Sequence, residues 1–259
     1  VLNLLGITRG IIALTKADLA DDARRQAVTA QIRETLAGTG LHDAPVIAVS
    51  SLTGEGIDTL RDALIAAEAE TGQRKSAGPF RLAADRSFTL SGAGTVVTGT
   101  VLSGRVAIDD SVTVSPSGLV ARVRAIHAQN RKATEGLAGQ RCALNLAGEA
   151  ISKDALHRGD MVLTPMLHAP TQRIDARLSV LAAEPRAIGT WFPVHLHSHS
   201  VEVGARIVPL AGPLAPGESG LVQLVLDRPI AALVGDRFIL RDTSASRTIG
   251  GGRFLDLRP

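Results

Sequence analysis

Residues 10–19 read GIIALTKADL, an apolar run that stops abruptly at a polar loop. The run from Gly10 to Leu14 is too short for a helix and shows no polar alternation, so it reads as a strand buried on both faces, as in parallel sheets. Residues 15–19 form the loop after it. Asp21 and Asp22 mark the start of a helix, and Val28, Ile32 and Leu36 share one helical face. Gly38 and Gly40 end that helix. Residues 45–49 (PVIAV) repeat the apolar pattern, with Pro45 at the first position of a strand, where its missing N–H is tolerated. Residues 50–56 form a Ser-, Thr- and Gly-rich loop. Ile57, Leu60, Leu64 and Ile65 then predict the apolar face of a second helix. Strand–helix–strand–helix is an α/β unit with a parallel sheet.

The texture changes after residues 71–79 (TGQRKSAGP), a polar, proline-ended stretch that reads as a linker. Short β-branched runs then alternate with Gly, Pro, Asp and Ser clusters, the signature of all-β barrels. Residues 88–90, 95–101, 111–114, 119–126, 141–146 and 161–164 are candidate strands. A proline-flanked break covers residues 165–170. A second series follows at residues 173–181, 194–199, 202–210, 219–226, 237–240 and 252–257. The expected architecture is a partial α/β domain over residues 1–73, followed by β-barrels over 78–166 and 170–259.

Composition narrows the function. Hydrophobic residues make up 45% and charged residues 20% of the 259, an ordinary globular balance. With no Tyr and one Trp, the cores must rest on aliphatic side chains. A net charge of +3 is compatible with phosphate-rich partners without requiring them. The single cysteine, Cys142, excludes an intramolecular disulfide framework and fits a reducing, cytoplasmic compartment, where it reads as a buried structural residue. No apolar run is long enough to span a membrane. The chain opens at Val1 on an apolar stretch, with neither Met nor a signal-peptide pattern, so an N-terminal truncation is expected.

The two loops carry matched chemistry. In open α/β sheets, ligands sit beyond the carboxyl ends of strands. Thr15, Lys16 and Asp18 occupy that place after the first strand. A carboxylate there accepts from guanine N1–H and the exocyclic amine, a donor pair adenine lacks. The Lys16 stem lies across the base, and Thr15 ties the loop. Ser50, Ser51 and Leu52 follow the second strand and offer a backbone N–H to guanine O6. The phosphate side is missing: the sequence has no G-x-x-x-x-G-K-[ST] and no upstream Asp-x-x-Gly. This chain alone is therefore not expected to hydrolyse GTP, and no catalytic residue is assigned.

Residues 85–104, DRSFTLSGAGTVVTGTVLSG, resemble the opening of the second domain of translational GTPases. Further stretches point to the selenocysteine-specific elongation factor family: TKADL, AGQR followed by ALNLAG (138–148), RGD (158–160), and RD with TIGGG (241–252). The resemblance spans nearly the whole chain. It implies the end of a GTPase domain and two barrels, with GTP or GDP and Mg²⁺ bound by the intact protein and none held tightly by this stretch. It also implies selenocysteinyl-tRNA and the ribosome as partners, mRNA contact only through a C-terminal winged-helix region not included here, and no membrane. In elongation factor Tu, Glu-Asp-x-Phe leads into the aminoacyl pocket; the matching stretch here is Asp85-Arg86-Ser87-Phe88. A further pocket position, Asn in elongation factor Tu, is Arg141. By resemblance, Phe88 and Thr98 line this pocket, and Asp85 orients two guanidiniums toward a selenolate. Two other readings stand beside this one. One is a general aminoacyl-tRNA carrier of the elongation factor Tu type, against which Arg86 and Arg141 count. The other is a non-catalytic RNA-binding barrel scaffold, which guanine nucleotide binding would exclude.

Some residues lie outside that scheme. His195, His197 and His199 alternate and would share a strand face, but no metal site is assigned to them. Trp191 and Phe192 are expected to anchor the last barrel's core. Arg122, Arg124, Arg131 and Lys132 form a basic group suited equally to RNA phosphates or to solvent.

Overall fold

The computed structural model describes residues 1–70, 77–90 and 94–259. Most of the expected linker and the tip of the 85–104 stretch lie outside the described residues. The chain divides into two compact units, residues 1–73 and 74–259.

In the first unit, β1 (Ile12–Leu14) runs parallel to β2 (Val46–Ala48), with Ile12 opposite Val46 and Leu14 opposite Ala48. They are joined through α1 (Asp22–Leu36), and α2 (Ile57–Glu70) follows. Asp21 caps α1 by accepting from the Arg24 N–H at 2.8 Å. Val28, Ile32 and Leu36 are half-buried on its inner face. The α2 face differs from expectation. Ile57, Leu60, Ala63 and Ala67 turn inward, whereas Leu64 and Ile65 are 54% and 57% exposed. The sheet is only two strands wide, so α2 carries more apolar surface than the sheet covers.

The second unit holds two six-stranded antiparallel barrels. The first is built from β3 (Arg81–Leu90), β4 (Gly94–Ser103), β6 (Ser111–Ser115), β7 (Leu119–Ala128), β10 (Arg141–Ala147) and β11 (Met161–Leu163). The order is β10-β4-β3-β11-β6-β7, and a β10–β7 pairing closes the ring. Three short strands are satellites: β8 (Arg131–Ala133) extends β7, while β5 (Arg105–Ala107) pairs with β9 (Glu135–Leu137). Leu82, Val97, Val101, Val114, Val123, Leu144 and Val162 are fully buried inside. The second barrel closes as β12-β15-β14-β13-β16-β17. These strands are β12 (Thr171–Val180), β13 (Phe192–Ser198), β14 (Val201–Pro209), β15 (Ser219–Ile230), β16 (Arg237–Arg241) and β17 (Thr248–Asp256). Phe238 and Phe254 stack at its centre, 5.1 Å between ring centroids.

The largest differences from the expected strand starts are in β3 and β17, which begin at Arg81 and Thr248. Charged Arg81, Asp85 and Arg86 mask the start of β3. In β17 the expected strand opens at Gly252, whereas the observed one opens at Thr248; a Cβ on Gly252 would sit 1.8 Å from the Arg177 carbonyl oxygen and one on Gly250 2.3 Å from that of Ser179. They are strand residues chosen for close approach. Trp191 also corrects the expectation. It is 56% exposed with φ 61°, and only Phe192 packs against the core, under the Arg186 guanidinium 5.3 Å from its ring centre.

A buried ion pair joins the barrels. Arg81 on β3 donates to Asp236, just before β16, through two bonds of 2.7 and 3.0 Å. Asp236 also accepts the Leu233 N–H at 2.8 Å and lies 3.3 Å from His199 Nε2. Burial alone would raise the Asp236 pKa; hydrogen bonds and charge from His199 and Arg81 override it and hold the carboxyl far below the usual range. Such a depressed group contributes stability above the unfolded carboxylate pKa of about 3.9, and loses it as pH falls toward the folded value. Asp236→Ala is expected to destabilise the second unit by about 3 kcal/mol in urea unfolding at pH 7, because Arg81 is left buried and unpaired. The penalty should shrink in acid below pH ~4. A cost under about 1 kcal/mol would show that the pair is incidental.

Candidate functional site

Two sites emerge, one in each unit. At the carboxyl ends of β1 and β2 the loops are tied together: Val49 N donates to Leu14 O at 2.9 Å, and Ala17 N to Val49 O at 3.1 Å. Lys16 adopts a left-handed conformation (φ 58°), after which a tight turn over Ala17–Leu19 leaves Asp18 exposed. The Asp18 carboxylate has no partner among the described residues. Thr15 and Lys16 are likewise exposed. In the second loop, Ser50 is buried, and its Oγ accepts from Leu52 N and Thr53 N, each at 3.2 Å. The Leu52 N–H is thus already used, whereas that of Ser51 is unbonded among the described residues.

Sequence reasoning missed the clamp on these loops. Arg25 of α1 donates to Ala17 O at 2.6 and 3.1 Å and grips Glu55 of the second loop at 2.7 and 3.2 Å. No spacing rule links a first-turn Arg to a loop Glu 30 residues on. Gly56 (φ 70°) closes that loop where a Cβ would come 2.0 Å from the Ala48 carbonyl oxygen.

The second site lies on the outer face of the first barrel. A bulge between Ala84 and Arg86 places Asp85 out of register. Asp85 Oδ1 accepts from Thr98 Oγ1 at 2.7 Å and from one Arg141 nitrogen at 3.0 Å, and Oδ2 accepts from the other. Arg141 and Thr98 approach one another at 3.4 Å. Three residues from three strands therefore form one cluster. Burial acts to raise the Asp85 pKa, but hydrogen bonds from Arg141 and Thr98 and the charges of Arg141 and Arg86 leave it lowered. Arg141 is correspondingly raised, first by its hydrogen bond to Asp85.

Arg86 departs from expectation. It stands opposite Thr98 and feels Asp85 only through charge; its guanidinium makes no bond among the described residues. Asp85 holds one arginine and leaves the other free. Phe88, opposite Val96, is 36% exposed, so it presents its ring at the surface instead of filling the core. Ala143 flanks Thr98 on the other side with a small side chain.

The remaining candidates separate. His195 and His197 both face Glu202, at 3.3 and 3.9 Å, but His199 lies beyond β13 in a turn and reaches Asp236. No metal-ligating cluster occurs among the described residues. Arg122 pairs with Asp109 at 3.0 Å. Cys142 is buried, which pushes its thiol pKa up. No helix of the described residues is long and apolar enough to cross a membrane.

Comparison with known proteins shows what the chain is similar to. The elongation factor Tu domain 2 profile matches residues 94–163, and that of the selenocysteine-specific elongation factor β-barrel domain matches residues 174–259. The selenocysteine-specific elongation factor of Escherichia coli (strain K12) is 38% identical over 259 residues, covering all of this chain and 40% of its own length. This chain is a homologue of the selenocysteine-specific elongation factors. The Desulfomicrobium baculatum factor is 33% identical over 257 residues, again with 40% of its length covered. The chain thus spans about two fifths of these relatives. The fold is shared with translation elongation factor SelB of Methanococcus maripaludis, solved with the GTP analogue GppNHp, at TM-score 0.88 and 24% identity over the whole chain and 61% of that structure.

The cluster makes a direct claim about ionisation. In a carbon-detected NMR titration, the Asp85 carboxyl should show its midpoint below 3.8 and move upward in Arg141→Ala. A midpoint indifferent to the loss of Arg141 would contradict the clamp.

Proposed function

We propose that this chain is the central part of a factor that, at full length, binds GTP and delivers selenocysteinyl-tRNA to the ribosome in the cytoplasm. Residues 1–73 supply the guanine-reading end of the GTPase domain, 78–166 the aminoacyl-binding barrel and 170–259 a barrel supporting the tRNA. Asp18, with an unpartnered carboxylate, takes the guanine N1–H and amine, and the Ser51 N–H meets O6, with Thr15, Lys16, Ser50 and Leu52 shaping the loops. These groups fit the base of GTP or GDP; nothing in either loop fits the phosphates or Mg²⁺, whose binding belongs to other parts of the full-length protein.

The observation that carries the reading is the free Arg86 beside an Arg141 locked by Asp85 and Thr98. A selenol is more acidic than a thiol or a hydroxyl and is ionised at neutral pH. A pocket with one fixed and one unpaired guanidinium suits that anion. A seryl hydroxyl is neutral and cannot repay desolvation of Arg86. The elongation factor Tu alternative lacks support from this geometry, because a pocket for varied side chains gains nothing from an unpaired cation.

Arg86→Ala in the full-length factor is expected to weaken selenocysteinyl-tRNA binding about 10- to 100-fold, the worth of a charge-assisted hydrogen bond. Seryl-tRNA binding should stay within about twofold. Arg86→Lys should recover part of the loss. Equal losses for both aminoacyl groups, read by fluorescence titration, would sink the selenolate role.

A further inference from the structure

Arg25 stands where helix physics disfavours a cation. It lies in the first turn of α1, its N–H donating to the Asp21 carbonyl at 3.0 Å, at the end where the helix dipole repels positive charge. Its guanidinium is spent instead on the two loops. Nε donates to the Ala17 and Ala20 carbonyls, each at 3.1 Å, and Nη2 to Ala17 at 2.6 Å. Nη1 and Nη2 also donate to the Glu55 carboxylate, at 2.7 and 3.2 Å. Ala17 and Ala20 bracket the turn that carries Asp18, and Glu55 closes the loop that carries Ser51. Among the described residues no other side chain is bonded to both loops.

Glu55 is a fixed anchor for this grip. Its carbonyl accepts the Ser50 N–H at 2.9 Å, and its own N–H donates to Thr53 Oγ1 at 3.3 Å. The Arg25 side chain is 24% exposed, so the pair is partly shielded from water. The backbone bonds that join the loops, Val49 N to Leu14 O and Ala17 N to Val49 O, lie at the strand ends. Beyond them, the spacing between the Asp18 carboxylate and the Ser51 N–H rests on Arg25. Guanine offers O6, N1–H and the exocyclic amine along one edge of a rigid ring. A carboxylate from one loop and an N–H from the other must therefore keep a set distance to use all three, because hydrogen bonds weaken steeply when misdirected. A loosened carboxylate keeps one bond, whereas two parallel bonds need it held in the plane of the base.

We propose that Arg25 is a positioning residue for base selection. By gripping Glu55 and the turn around Asp18, it fixes the spacing of the two loops and sets how strongly the site prefers guanine to a base without the exocyclic amine. This rests on reading the two loops as the guanine site. Arg25 acts through the loops and not on the nucleotide, since its donors are all directed at Ala17, Ala20 and Glu55.

The test is displacement of methylanthraniloyl-GDP from the full-length factor by unlabelled GDP, IDP and ADP. IDP carries hypoxanthine, which lacks only the exocyclic amine. Arg25→Ala is expected to weaken GDP about tenfold and IDP only about twofold, so the GDP-over-IDP preference falls about fivefold. Phosphate and ribose contacts are common to both nucleotides and cancel in that ratio, so a general loss of folded protein does not move it. Arg25→Lys should restore part of the ratio, because an ammonium cannot grip two groups in a fork. If Arg25→Ala fails to fold by circular dichroism, Glu55→Gln, which leaves Arg25 on Ala17, should still lower the ratio about twofold. GDP and IDP weakened equally, or a ratio untouched in the folded variants, would overturn the proposal and leave Arg25 a packing residue. Wild-type factor that binds ADP as tightly as GDP would overturn the guanine reading beneath it. A wild-type guanine preference that survives Arg25→Ala unchanged overturns the clamp alone, so the two failures are distinct.

Discussion

Closure of the first barrel through β10 is the constraint on which the candidate pocket depends. This strand pairs with β4 on one edge and β7 on the other, and without it the ring is an open sheet. Its inward residues Cys142, Leu144 and Leu146 are almost wholly buried, so apolar burial fixes its position. Register then puts Arg141 and Ala143 on the outer face, with Ala143 beside Thr98. Gly136 leaves room for the Cys142 sulfur, which a Cβ there would meet at 2.8 Å. The lone cysteine thus serves packing. A one-residue slip would turn Arg141 inward and break the cluster with Asp85.

That cluster separates two tasks usually shared by one side chain. Arg141 spends its hydrogen bonds on Asp85 and Thr98, which fixes its position but uses its donors. Arg86, next to the bulge, keeps its donors free among the described residues. Arg141 is about half exposed, so its pairing with Asp85 contributes orientation more than stability. The Arg81–Asp236 pair is the opposite case: both partners are buried, and the bond fixes how the two barrels meet.

Much of this was legible in the sequence, and the failures have physical causes. The strands ending at Leu14 and Ala48, the Asp21 cap and both loops follow from local pattern, because short buried strands and helix caps are set by neighbouring residues. Asp85, Arg86 and Arg141 were legible only by resemblance. Their separation of 56 residues between Asp85 and Arg141 means that only closure of the barrel brings them together. The Arg25–Glu55 clamp and the Arg81–Asp236 bridge left no local signal for the same reason. The start of β17 at Thr248 was missed because Gly250 and Gly251 carry no strand signal, and only the close approach of the neighbouring strand requires them. Trp191 misled because large aromatics usually lie inside, whereas here a left-handed backbone turns it out.

The central claim is that the first barrel reads charge on the aminoacyl side chain. It is tested most directly with amide-linked cysteinyl-, seryl- and selenocysteinyl-tRNA bound to the full-length factor between pH 7 and about 9.5, a range that spans the thiol pKa of about 8.5. Cysteinyl-tRNA affinity should climb toward that of selenocysteinyl-tRNA as its thiol ionises, while the seryl and selenocysteinyl curves stay flat. A cysteinyl curve as flat as the seryl one would contradict the account.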